Sequence, residues 1–153
     1  MSIGLSRDHK PDEPDEEERI VNWNGRVLAY QDEEGNPLGP ARVWLAEENV
    51  PGLAMSRSIG DLVAASVGWV PDPEILEYTT IPDDKFLVVG SDGIFEFLSN
   101  EDVVRTVVPF WTLNDASGAW EALVKQAHQT WLDEEEVIDD ITCVIVFLNR
   151  CKK

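Results

Sequence analysis

The features that most constrain this chain are two strand-like runs, Phe86–Val89 and Ile141–Leu148, with two helix-like segments between them. The first run reads as a buried strand that stops at Gly90-Ser91-Asp92-Gly93, and the second is a continuous β-rich stretch leading to a basic tail. After the first run, Ser99 and Asn100 are good N-caps, Glu101 and Asp102 suit the positive end of a helix, and Pro109 is expected to stop it. A second helix is expected from about Ala116 to Leu132, with Trp120, Leu123, Val124, Ala127 and Trp131 on one face.

The upstream half is less regular. Asp12–Glu18 is acidic and broken by Pro14, which suits a solvated turn or a helix start. Val27–Tyr30 reads as a short strand, Asp32–Pro40 as a loop by its Gly and Pro content, and Leu53–Ser56 as a second short apolar piece. Ile75–Ile81 alternates loosely and carries β-branched Thr79 and Thr80, as an exposed strand would. No βαβ rhythm is present, so the expected class is α+β, with residues 1–153 forming a single unit without repeats or a long linker.

Charge narrows the partners. Lys plus Arg number 12 against 30 Asp plus Glu, a formal charge of −18. Such a surface repels nucleic-acid phosphates and anionic membranes and concentrates cations. No apolar run approaches the roughly 18 residues of a membrane span, and Met1–Lys10 is too polar for a signal peptide. Cys143 sits in an apolar strand and Cys151 in a polar tail, so no disulfide framework is expected. An intracellular compartment, cytoplasmic or nuclear, follows as the expectation.

Two positions stand out chemically. Asp92 follows one apolar strand, and Asp139 with Asp140 stands just before the other. Carboxylates at the ends of two core strands can meet at one sheet edge, and hard cations such as Mg²⁺ or Mn²⁺ take such oxygen ligands. Taken alone, these residues favour the plainer reading, Asp92 as a turn residue and Asp139 as a strand-end cap.

Motif order adds what single residues lack. "LSRDHKP" (Leu5–Pro11), "EERIVNWNGRV" (Glu17–Val27), "PGLAMSRSIGD" (Pro51–Asp61), "PDPEI" (Pro71–Ile75), "FLVVGSDGIFEFLSNEDVV" (Phe86–Val104) and "DDITCVIVFL" (Asp139–Leu148) occur in that order. Together they cover nearly the whole chain, which resembles the C-terminal half of the type-2C protein serine/threonine phosphatases. The resemblance implies part of an α-β-β-α sandwich, two antiparallel sheets flanked by helices, incomplete at the N-terminal side. It also implies Mg²⁺ or Mn²⁺ (two ions, or three, in the complete domain) activating a water that attacks phosphoserine or phosphothreonine in line.

Carried over by position, Asp92 matches a metal-ligating aspartate, and Asp139 matches the aspartate of the family's Asp-Asn pair. Asp140 replaces the usual asparagine, and Glu96 stands for an aspartate that helps hold a third metal in some members. Gly93, Asp140, Arg57 and Asp61 are expected around these ligands, with Arg57 and Asp61 as a structural pair or supporting shell. Asn24 stands for the first glycine of a Gly-Gly pair and tolerates positive φ. Phe95 replaces a common tryptophan and is expected to pack. His9 is expected to order its loop, and His128 to be solvated. Gln31–Glu48 falls where the family carries a variable flap.

The family's N-terminal half supplies an Asp-Gly-His-Gly motif, a further acidic ligand and a phosphate-gripping arginine, and this sequence contains no such motif. An incomplete metal pair in this chain is therefore expected. Expected partners are phosphorylated protein substrates, the N-terminal half of the domain, and further copies through exposed sheet surface. Two functions compete: part of an active phosphatase, and a non-catalytic pseudophosphatase that recruits or inhibits partners. Asp92 and Asp139 favour the enzyme, whereas Glu96 and Asp140 favour the module. A merely cation-buffering acidic protein fits the charge but ignores the motif order.

Overall fold

A computed structural model describes residues 1–148. Its contacts gather into two compact units, one spanning Ser6–Leu76 and the other combining Met1–Leu5 with the chain from Glu77 onward. Each holds a small antiparallel sheet with open edges and helices packed on it, a mixed α/β arrangement of the kind an incomplete sandwich leaves.

The first unit begins with α1 (Pro14–Asn22), which has proline in its first turn, acids at its N-terminus and Arg19 in its last turn. The acidic stretch is thus a helix start, but it is not wholly solvated: Glu16 is 0% exposed. Glu16 and Ile20 lie one turn apart on the inward face. Asn24 adopts φ 62°, turning the chain into β1 (Gly25–Gln31). Gly25 permits close packing there, since a Cβ would lie 2.7 Å from the Ile20 side chain.

β1 pairs antiparallel with β2 (Pro37–Leu45), which pairs with β3 (Pro51–Leu53). The expected loop over Asp32–Pro40 is thus a loop as far as Asn36, and its last four residues open β2. Only Asp32–Asn36 turns, held by the Asp32 carboxylate accepting from the Glu34 and Asn36 amides at 2.9 and 2.8 Å. A register shift between Leu28 and Tyr30 lies opposite Gly39-Pro40-Ala41, so the ladder bulges where proline has no N–H to give. Ile20, Val43, Ala64, Val67 and Trp69 form the buried core, with α2 (Leu62–Ala65) contributing Ala64.

In the second unit β4 (Phe86–Gly90) pairs antiparallel with β5 (Cys143–Phe147), joining Gly90 to Cys143 and Phe86 to Phe147. Neither strand is buried on both faces. Phe86, Val88, Cys143, Ile145 and Phe147 pack inward, whereas Val89 and Val144 are each 58% exposed. The chain beyond β4 forms a single turn, α3 (Asp92–Phe95), then α4 (Asn100–Leu113) and α5 (Ala116–Glu134). Phe95 packs against the core, as expected of it.

Ser99 caps α4 in a reciprocal capping box with Asp102. Pro109 does not end this helix, which runs on to an Asn114 cap at φ 59°. Val107 is fully buried just before the proline and Phe110 packs just after it, so tertiary contact offsets the lost backbone bond. On α5 the buried stripe is Ala119, Leu123 and Ala127, while Trp120 is 47% exposed. Of the expected face, Leu123 and Ala127 are buried and Val124 and Trp131 half-buried, while Ala119 takes the inward place expected of Trp120. His128 is exposed.

Ile75–Ile81 forms no strand, because among the described residues no partner strand pairs with it. Asp84 instead accepts from the Tyr78 hydroxyl and the Ile81 amide. Cys143 is a free thiol whose pKa burial pushes up, and Cys151 with the basic tail lies outside the described residues.

Candidate functional site

The end of β4 and the approach to β5 are stitched together by one residue. Ser91 follows β4, and its amide donates to the Thr142 carbonyl at 2.9 Å. Its hydroxyl donates to the Asp140 carbonyl at 3.1 Å and accepts from the Thr142 amide at 3.1 Å. Gly93 lets the two segments touch, because a Cβ there would clash with the Asp140 carbonyl oxygen and lie 3.0 Å from the Ile141 Cα. That close approach gives glycine a steric reason at this position.

The stitching brings Asp92 and Asp139 to one end of the two-stranded sheet. Asp92 opens α3, and its carbonyl accepts from the Glu96 amide at 2.8 Å, so Asp92 and Glu96 lie one helical turn apart. Asp92, Glu96 and Asp139 line a pocket of about 220 Å³ together with Phe97, Trp131 and Glu135. That is smaller than the roughly 300–1,000 Å³ typical of small-molecule clefts. Its acidic wall of hard oxygen donors suits divalent cations and their waters. Asp139 is oriented by its own neighbour, the Asp140 amide donating to Asp139 Oδ1 at 2.7 Å. The Asp140 side chain is exposed, adding charge at the rim.

The aromatic wall was not legible as part of a site. Trp131 reaches it from α5, its indole N–H donating to the Gly93 carbonyl at 2.8 Å. Phe97 meets Trp131 edge to face with centroids 4.7 Å apart. Helical spacing places Trp131 on an inward face, but nothing in the sequence identifies its acceptor 38 residues away.

A second acidic cluster lies in the first unit. Asp15, Glu16 and Glu74 offer oxygens within 4.8 Å of one another, a partial cluster with the spacing to coordinate one divalent ion. Guanidinium groups occupy that role in this structure. Arg7 pairs with Asp15 at 2.6 Å and with Glu74 at 2.5 Å, Arg19 with Glu16 at 2.8 Å, and Arg57 with both Glu16 and Glu74. Burial pushes the Glu16 carboxyl up, but hydrogen bonds from Arg19, Arg57 and Ser56 outweigh it and hold the group below its ordinary value. The Arg7 hydrogen bond lowers Asp15 to about 2 and also lowers Glu74.

Arg57 and Asp61 do not pair with each other. Arg57 serves the carboxylate cluster and the Asp72 carbonyl, while Asp61 caps α2 by accepting from the Ala64 amide at 3.0 Å. A short helix start four residues away claims the aspartate, which is why the expected pair does not form. Glu74 lies in the quoted "PDPEI" segment, yet only the fold gives it this role. His9 orders its loop through its carbonyl, which accepts from the Ser56 amide at 2.8 Å and hydroxyl at 2.9 Å.

Comparison with known proteins agrees with the motif order. The family model described as protein phosphatase 2C matches residues 2–130. "Probable protein phosphatase 2C 73" of Oryza sativa subsp. japonica is 39% identical over 150 residues, covering 97% of this chain and 34% of that protein. "Probable protein phosphatase 2C 61" of Arabidopsis thaliana is 39% identical over 148 residues, covering 95% of this chain and 43% of that protein. Among solved structures, a serine-threonine phosphatase 2C from Toxoplasma gondii superposes with a TM-score of 0.77 at 21% identity, covering 94% of this chain and 46% of its own. That last likeness speaks for the fold. The chain thus spans 34–46% of the length of these relatives.

Proposed function

The chain belongs to the protein phosphatase 2C family, and on that footing we propose that it carries one side of a metal-dependent site hydrolysing phosphoserine and phosphothreonine in proteins. The observation that carries this reading is the shared pocket of Asp92, Glu96 and Asp139 at the stitched ends of β4 and β5. Asp92 and Asp139 would hold Mg²⁺ or Mn²⁺, and Glu96 would reach a further ion. The ions, when bound, supply a more acidic attacking water and positive charge against the transferring phosphoryl group.

This chain's own residues do the positioning. Gly93 admits the Asp140 backbone, Ser91 fixes the strand ends, and the Asp140 amide orients Asp139. Arg57 and Asp61 organise the first unit, where both of their contacts lie. In the family, by the same resemblance, the further ligands and the phosphate-gripping arginine come from the N-terminal half of the domain, so phosphorylated proteins and such an N-terminal half are the expected partners. Among the described residues no helix is long and apolar enough to cross a membrane. We place the protein in the cytoplasm or nucleus, in keeping with its unpaired Cys143.

The test is phosphopeptide hydrolysis by the full-length protein with saturating Mn²⁺. Activity should vanish with chelator. Asp92→Asn and Asp139→Asn should each lose more than the roughly 10–100-fold that an outer-shell partner costs, because an amide cannot replace a ligand's charge. The isolated 153 residues should turn over little. A full-length protein inactive under saturating metal would instead support the non-catalytic module that Glu96 and Asp140 favour.

A further inference from the structure

We propose that Trp131 is a positioning residue for the metal pocket, acting through the Gly93 peptide on Asp92; this rests on the phosphatase reading above. α3 is a single turn of four residues, Asp92–Phe95, so it is too short to satisfy its own carbonyls. The carbonyl that follows Asp92 is that of Gly93, and its donor comes from outside: the Trp131 indole N–H at 2.8 Å. Glycine has the widest backbone freedom of any residue. Here it is confined on one side by the Asp140 backbone, which leaves no room for a Cβ, and on the other by the indole. The bond holds the Gly93–Ile94 peptide, and so anchors to α5 the single turn that Asp92 opens, which sets where Asp92 enters the pocket.

Packing alone does not explain a tryptophan at this place. The inward stripe of α5 consists of Ala119, Leu123 and Ala127, all buried. Trp131 is the next position of that stripe but is only half-buried, and it lies in the pocket lining beside Asp92, Glu96 and Asp139. Its ring also braces Phe97 at 4.7 Å, on the segment that leaves α3. A phenylalanine could keep the ring contact. It could not donate to Gly93.

The experiment is Mn²⁺ calorimetry on the full-length protein and its variants. Trp131→Phe should weaken Mn²⁺ binding by about tenfold, within the range that outer-shell partners of a metal command. Trp120→Phe, the same change on an exposed part of the same helix, should leave affinity unchanged even if both variants lose some thermal stability. The half-saturating Mn²⁺ concentration for phosphopeptide hydrolysis should rise in Trp131→Phe while kcat at saturating metal is retained. If Trp131→Phe binds like wild type while Asp92→Asn binds weakly, the positioning role is overturned and the phosphatase reading stands. If Asp92→Asn also binds like wild type, both fall. Should Trp131→Phe fail to fold, the unaltered protein decides: adding Mg²⁺ should shift the Trp131 indole N–H resonance and leave that of Trp120 in place. An unmoved Trp131 resonance overturns the proposal.

Discussion

Ser91 and Asp140, 49 residues apart in the chain, are joined by a hydrogen bond of 3.1 Å from the serine hydroxyl to the aspartate's backbone carbonyl. This contact, with the Thr142 amide returning to the same hydroxyl, converts two neighbouring strand ends into one rigid rim. Asp92 and Asp139 flank the joined residues on either side, so the rim sets where the two residues enter the pocket that both line.

Gly93→Ala should therefore be more harmful than an ordinary helix substitution. A methyl group would have to displace the Asp140 backbone rather than a flexible side chain. Over-packing of this kind costs about 1–3 kcal/mol. We expect Mn²⁺ affinity to fall along with the melting temperature, whereas Ser91→Ala should cost about 1 kcal/mol as the loss of neutral hydrogen bonds. Equal effects of the two variants on metal binding would argue against the close approach as the critical feature.

Glu16→Gln should be among the most destabilising charge changes in the first unit. The carboxylate is 0% exposed and receives Arg19, Arg57 and Ser56. Removing its charge leaves guanidinium groups in a partly buried setting, for which a cost of about 3 kcal/mol is expected. Arg7→Ala, at the solvent side of the same network, should matter far less because its pairs are screened. Urea midpoints of the two variants make the comparison.

The same network sets an acid limit. Glu16, Asp15 and Glu74 all have folded-state pKa values below their ordinary ones. Depressed carboxylates contribute stability above their unfolded values of about 4, and that contribution is lost as pH falls through the folded values. Stability should thus decline progressively from about pH 5 toward pH 2. Relief of repulsion in a chain of charge −18 acts in the opposite direction on mild acidification. The diagnostic is the difference: Glu16→Gln should show a shallower loss than wild type between these pH values, and parallel curves would sink the assignment.

The outward face of the β4–β5 sheet should mediate self-association of the 153-residue chain. Val89 stands opposite Val144, each 58% exposed, and Leu87 opposite Val146, which is 43% exposed. A contiguous apolar patch of this kind is seldom left open in a monomer. Light scattering should show concentration-dependent association that Val144→Lys reduces with little change in melting temperature. A well-dispersed monomer at every concentration would contradict this.

Local chemistry in the sequence determined much of this protein. Cap residues Ser99 and Asp102 started α4, a β-rich run marked β5, positive-φ tolerance suited Asn24 to its turn, and motif order identified the family. Each depends on neighbours within a few residues or on a pattern along the chain. What only the tertiary structure decided are relationships between distant segments. Pro109 stays inside α4 because the core holds both of its sides, and Ile75–Ile81 is no strand because nothing among the described residues pairs with it. Glu16 is buried because Arg57 and Ser56, some 40 residues along the chain, meet it beside its neighbour Arg19, and Asp61 caps α2 while Arg57 turns to Glu16 and Glu74. Trp131 reaches Gly93 across 38 residues. A hydrogen bond or ion pair needs its partner within about 3–4 Å, and one-dimensional order does not contain that distance until the chain has folded.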